Sequence, residues 1–230
     1  MSQRRTLFAV LGACGALFLG GALVAGGFAL AQEHPTGSEH PHGKEHPTGK
    51  EHPTEAAKPA GMTEAQMAEM AAWMKLAQPS DHHQHLAAMA GEWKADGTFW
   101  MEPGQEPIKS GGSMTSQMML GGRFLHTHYK GEFMDMPFEG AGVDGYDNGA
   151  GQYVSYWMDS MGTMIAGSKG SCTANGKVRT MTGSFTDPQG KEMKNRSVTT
   201  IIDANKFKME SFMTTPEGEF KSMEIVFTRK

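Results

Sequence analysis

From Gly91 onward the chain repeats its apolar residues at every second position. Trp93, Ala95, Gly97, Phe99 and Met101 alternate with Lys94, Asp96, Thr98 and Trp100. A period of two belongs to a strand with one buried face, because successive side chains point to opposite sides of a sheet. The same alternation predicts further strands near 110–119, 122–134, 138–147, 151–159, 163–171, 177–186, 192–202, 206–214 and 219–229. Between them stand turn residues: Pro103-Gly104, Gly121-Gly122, Asp147-Asn148-Gly149, Asn175-Gly176, Asp187-Pro188-Gln189-Gly190, Asp203-Ala204-Asn205 and Pro216-Glu217-Gly218. Ten antiparallel strands joined hairpin to hairpin across residues 91–230 make a mainly β fold. An up-and-down barrel accounts for it best, since closure removes exposed edges. A two-sheet sandwich is the alternative. The composition agrees: 30 glycines supply turns, and an apolar share of 38% disfavours an all-helical bundle. A net charge of −4 with no basic block gives nothing to grip nucleic acid.

Upstream the pattern changes three times. Residues 62–90 form a short helical segment. Thr63-Glu64-Ala65-Gln66 is a capping box, and Met67, Met70, Trp73, Met74 and Leu76 fall on or near one face. Pro79 ends that helix, and Ser80-Asp81 starts a second turn carrying His82, His83, His85, Leu86 and Met89. Residues 32–61 hold a hexapeptide repeat, EHPTGS, EHPHGK, EHPTGK, EHPTEA. A proline in every copy forbids helix and central strand, so this reads as a disordered His-Pro linker. Residues 1–31 read as an export signal. Arg4-Arg5 precede an uncharged stretch ending in Ala29-Leu30-Ala31, a small-x-small cleavage pattern of twin-arginine flavour. The stretch is also long enough to serve as an uncleaved membrane anchor, and Leu11-Gly12-Ala13-Cys14 resembles a lipidation site. All three readings place the protein outside the cytoplasm, in the periplasm or beyond. Cleavage removes two basic residues and no acidic one, taking the net charge from −4 to −6. It also leaves Cys172 alone, so the barrel has no internal disulfide to lean on.

Two features of the strand region resemble the lipocalin-like barrels. Gly91-Glu92-Trp93 is a G-x-W at the first strand after a short helix, and Arg229 ends the last strand in phase with Met223, Ile225 and Phe227. The resemblance implies that Gly91, Trp93 and Arg229 close one end of the barrel, with the basic side chain packed on the indole. GGRFL at 121–125, FEGAGVDGYDN at 138–148, YVSYWMDSMGT at 153–163, FTDPQGKEMKNR at 185–196 and KSMEIVFTRK at 221–230 are similar to a bacterial family catalogued as domain of unknown function 1579. That likeness runs over residues 80–230 and implies a lipocalin-like barrel with no established activity.

Individual motifs narrow the function further. Gly140-Ala141-Gly142-Val143-Asp144-Gly145 is a literal G-x-G-x-x-G, but a turn follows it where dinucleotide binding needs a helix. No G-x-S-x-G, H-E-x-x-H or C-x-x-C is present, which removes the commonest hydrolase, zinc-protease and redox readings. His126-Thr127-His128 in a strand puts two imidazoles on one face about 7 Å apart. The pair supplies two ligands for copper or zinc, with no third in view. In the linker only His40 and His42 stand near each other, since repeat histidines in a polyproline helix are roughly 19 Å apart. Twenty methionines include Met158, Met161 and Met164 and the pair Met134/Met136, thioether spacings that suit Cu(I) but equally suit an adaptable interior.

The leading expectation is an exported, non-enzymatic barrel holding a small apolar or amphipathic molecule. Trp93, Phe99, Met118, Trp157, Met209, Met213, Ile225 and Phe227 are the candidate inward residues. A periplasmic copper- or zinc-handling protein using His40, His42, His126, His128 and the methionines is the alternative. A haem-binding barrel with His126 or His128 as axial ligand is the third. Nothing in the sequence points to a protein partner, and contact with a membrane runs only through an uncleaved N-terminal segment.

Overall fold

The computed structural model describes residues 61–187 and 189–230. The stretch 1–31 read above as an export signal, the His-Pro repeat up to residue 60, and with them His40 and His42, lie outside the described residues. Two helices and ten strands follow: α1 Glu64–Leu76, α2 Asp81–Ala87, β1 Gly91–Phe99, β2 Ile108–Met119, β3 Phe124–Phe133, β4 Met136–Asp147, β5 Gln152–Asp159, β6 Ala166–Cys172, β7 Val178–Thr186, β8 Glu192–Asp203, β9 Lys206–Thr215 and β10 Gly218–Arg229. Every strand pairs antiparallel with its sequence neighbour, and β1 pairs with β10 from Trp93↔Arg229 to Phe99↔Met223. The sheet is therefore a closed barrel, and the sandwich alternative is ruled out by that last pairing. Among the described residues no helix is long and apolar enough to cross a membrane.

One hairpin shows in the sequence only as a gap between the strands near 122–134 and 138–147, with no turn residues assigned to it. Phe133 and Met136 pair directly across a two-residue turn in which Met134 and Asp135 both take positive φ, 51° and 62°. Such a turn matches strand twist but ordinarily pairs Asn or Asp with a following Gly, and here Met precedes the Asp and no Gly follows it. A second departure is local to β10, where the register shifts between Lys221 and Met223. The bulge buries Ser222 and Met223 in succession and restarts the alternation that puts Ile225 and Phe227 inside.

The helices behave differently from each other. The Thr63 capping box of α1 forms as expected, with Gln66 N–H donating to Thr63 Oγ1 and Thr63 N–H donating to Gln66 Oε1. Its apolar residues, however, are not buried: Met70, Trp73, Met74 and Leu76 are exposed. The N-terminal part of α1, through Ala72, falls in a different compact unit from Trp73–Lys230, which contains the barrel. By contrast α2 buries His83 and Leu86. The chain leading into it is tied down by Asn148, whose Nδ2 donates to Leu76 O (2.7 Å) and Gln78 O (2.8 Å), and by Arg123 Nε, which donates to Ala77 O (3.1 Å).

The core has two parts. The larger runs from Leu86 and Met89 on or just after α2 through Trp93, Leu125, Tyr153 and Phe207 to Phe227. The smaller comprises Phe185, Met193 and Met213, with Met164 and Phe220 against it.

Candidate functional site

Between these clusters the barrel interior encloses a cavity of about 230 Å³. An apolar cavity of about 150 Å³ already admits benzene, so this lumen has room for a small organic molecule. Apolar and hydroxyl side chains share its lining unevenly. Phe99, Leu125, Phe133, Phe138, Ile225 and Phe227 dominate from β1, β3, β4 and β10 beside Ser116 and Thr127, whereas Ser155, Ser168, Asn195, Ser197 and Thr199 from β5, β6 and β8 stand beside Trp157, Met181 and Phe185. Serines on inward positions do not close-pack, which is the local reason a cavity persists where a small barrel is often solid.

Five of the eight inward candidates line the cavity: Phe99, Trp157, Met209, Ile225 and Phe227. Trp93 instead plugs the α2 end. Its indole N–H donates to Met89 O (3.0 Å), Phe207 meets it edge-on at 4.7 Å, and the Arg229 guanidinium lies over the ring at 4.1 Å. Arg229 donates onward to the carbonyls of Ala90, Ala88 and Ala204, stitching the end of β10 to the chain after α2 and to the β8–β9 turn. Gly91 has φ +134°, and a Cβ there would run into the Arg229 guanidinium, so only glycine fits. Met118 packs beside the larger cluster and Met213 belongs to the smaller one, so neither lines the lumen.

The G-x-G-x-x-G lies inside strand β4. Its glycines serve a different purpose: a Cβ at Gly140 or Gly142 would meet the Trp157 ring, which lies flat over both. Trp157 Nε1 donates to Asp159 Oδ2 (3.0 Å), and the same carboxylate accepts from Met161 N.

His126 and His128 share a face of β3, but it is the outer one, since Leu125, Thr127 and Tyr129 are the buried alternates. His128 Nε2 lies 2.7 Å from Glu139 Oε1. That bond, with help from Lys130, holds the Glu139 carboxyl below its usual range. The outward direction corrects the haem reading, because neither ring can ligate a group held in the lumen. Among the described residues no three His, Cys, Asp or Glu side chains stand close enough together to hold a metal ion. The methionines also divide: Met134 and Met158 are exposed, whereas Met164 packs inside.

Sequence reasoning missed the charged pair in the lumen. Arg179 on β7 and Asp144 on β4 reach toward each other past β5 and β6, with Nη2 3.5 Å from Oδ1 and side-chain exposures of 13% and 16%. Nε and Nη1 of Arg179 are buried and have no hydrogen-bond partner, alone in this among the described residues. The guanidinium also stands 5.8 Å from the centre of the Tyr153 ring. Tyr153 is itself buried, and burial, reinforced by Cys172, pushes its phenol above the ordinary tyrosine range. Its hydroxyl lies 3.1 Å from Nδ1 of both His82 and His85 on α2. The signal for Arg179 was present: it sits in phase with Met181 and Phe185, an arginine at an inward position.

A family model described as a protein of unknown function, DUF1579, matches residues 78–229. None of the curated proteins matches the chain. Among solved structures, the crystal structure of Rv2717c from M. tuberculosis is 17% identical, over 66% of this chain and 99% of that one, at a TM-score of 0.49. A redesigned β-barrel named b11L5F_LGL is 19% identical over 64% and 95% of the two chains, at a TM-score of 0.34. Another redesigned barrel, mFAP1 bound to DFHBI, is 18% identical over 65% and 100%, at 0.34.

Proposed function

The chain belongs to the DUF1579 family, and on that premise we propose that it is an exported binding protein whose barrel holds one small apolar or amphipathic molecule. The observation that carries the reading is the lumen itself, about 230 Å³ and lined by aromatic and aliphatic side chains with hydroxyls set among them, most densely on β5, β6 and β8. An interior of this kind suits a ligand with an apolar body and a few polar atoms, because apolar burial supplies affinity and placed polar groups fix orientation. Export rests on the Arg4-Arg5 segment and the Ala29-Leu30-Ala31 cleavage pattern.

The test is titration of the full chain with 1-aminonaphthalene, a dye of eleven heavy atoms that is uncharged at neutral pH and brightens in apolar surroundings. Saturable binding at one dye per chain is expected. Ser197→Phe, which fills the lumen from β8, should abolish it while the β circular-dichroism spectrum stays unchanged. Absence of saturable binding, or equal binding by Ser197→Phe, would overturn the proposal.

A further inference from the structure

We infer that the molecule held in the lumen is an amphipathic anion whose single carboxylate, or an equivalent oxyanion, is received by Arg179. The inference deepens the reading of the barrel as a binding vessel and rests on it. Its basis is an imbalance in how the lumen's charges are satisfied. A guanidinium carries five N–H donors. In Arg179 the one protein acceptor is Asp144, and the 3.5 Å separation is longer than the roughly 2.7–2.9 Å of a good charge-assisted bond. The N–H of Nε and the two of Nη1 are left buried without an acceptor. Buried donors of a charged group without acceptors are strongly unfavourable, so a group that brings acceptors gains more here than it would at the surface.

The other lumen charges are already satisfied. Asp159 accepts from the Trp157 indole and the Met161 amide, and Glu132 is exposed to solvent near the open end. A cationic head group would find Asp159 and Glu132 already served and Asp144 already faced by the Arg179 guanidinium, whose charge repels it, whereas an anion meets donors that lack partners. Position agrees with chemistry. Arg179 is the second residue of β7 and pairs with Cys172 and Thr199, which places it toward the α2 end. Phe99, Phe133 and Phe138 lie toward the opposite, open end, around the short hairpin of Met134 and Asp135. The ligand enters head first, with its carboxylate deep and its apolar body between the aromatic wall and the opening. Scaled from the benzene-sized cavity, the volume suits a body of about eight to ten heavy atoms.

Octanoate, octan-1-ol and octylamine share a chain and differ in head group, so calorimetric titration of each into the full chain at pH 7.5 separates the terms. Octanoate is expected to bind at least tenfold more tightly than octanol. Arg179→Gln should erase that preference, bringing the ratio of octanoate to octanol affinity to about one. Asp144→Asn, which removes the competing carboxylate, should tighten octanoate several-fold. Should Arg179→Gln fail to fold, the wild-type ratio and Asp144→Asn still decide the matter. Equal binding of octanoate and octanol overturns the anion and leaves the vessel standing, with ordered water satisfying Arg179. Tighter binding of octylamine overturns it as well. Binding of none of the three, together with failure of the uncharged dye, overturns both readings.

Discussion

The two ends of the barrel are built on different principles. At the α2 end Leu86, Trp93 and Tyr153 are each 1% exposed, and the closure draws on segments far apart in sequence: α2, β1, β5 and the last residues of β10. The opposite end has the two-residue turn at Met134–Asp135, the segments 100–107 and 160–165, and a small cluster around Phe185, Met193 and Met213. A plug of this kind makes one end a floor. The lumen runs toward the lighter end, and Arg179, whose Nε and Nη1 are the buried side-chain atoms without a partner among the described residues, lies on the floor side of it. The contrast puts the heaviest packing at one end of the sheet and leaves the lumen beside the other.

Four measurements break or sharpen that contrast. Trp93→Ala should cost about 4 kcal/mol in urea unfolding, because it removes a fully buried indole and strands the Arg229 guanidinium above a void. Gly91→Ala comes next, at about 2–3 kcal/mol by the same measurement, since it forces a strained φ and pushes Arg229 away. Phe185→Ala at the lighter end should cost less, about 2 kcal/mol, below the usual range for a buried phenylalanine because its cluster is small. A cost equal to that of Trp93→Ala would erase the distinction between floor and rim.

The smallest effect is a pH dependence. Burial, and then repulsion from His82, hold the His83 imidazole below the ordinary histidine pKa. The folded chain therefore binds fewer protons at that site than the unfolded chain once pH falls through about 6.5. Stability contributed by neutral His83 is complete above that pH and is lost as acid is added. His83 also accepts the Ser80 amide at 2.9 Å, a bond to Nδ1 that protonation of the ring removes. Melting temperature should drop by a few degrees between pH 7.5 and 5.5, and His83→Asn should show a shallower drop from a lower start. An equal slope in the variant would move the pH sensitivity elsewhere.

Much of the architecture was legible because it is repetitive. Alternation from Trp93 to Met101, repeated between Gly, Asn and Asp turns, marks strand after strand, and most predicted strand ends fall within a residue or two of the observed ones. Gly91, Trp93 and Arg229 were legible through resemblance, and their geometry is that of a closed end. Where a turn lacked its usual residues the strand ends shifted: the gap read at 135–137 is a turn at Met134 and Asp135. The α1 helix failed in the opposite sense, since its run of methionines and Trp73 looks like a packing face yet buries nothing.

By itself the sequence determined the period-two strands, their number, most of the turns that separate them and the helix that precedes them, because each depends on neighbours a few residues apart. Only the tertiary structure decided that the sheet closes through Trp93↔Arg229, that β3 turns His126 and His128 outward, and that Gly140 and Gly142 lie beneath Trp157. It alone brought Arg179 to Asp144 across two intervening strands and left the remaining donors of Arg179 unpaired. Local periodicity says which side of a strand a residue occupies. What it meets there depends on strand order, register and curvature, which belong to the whole barrel.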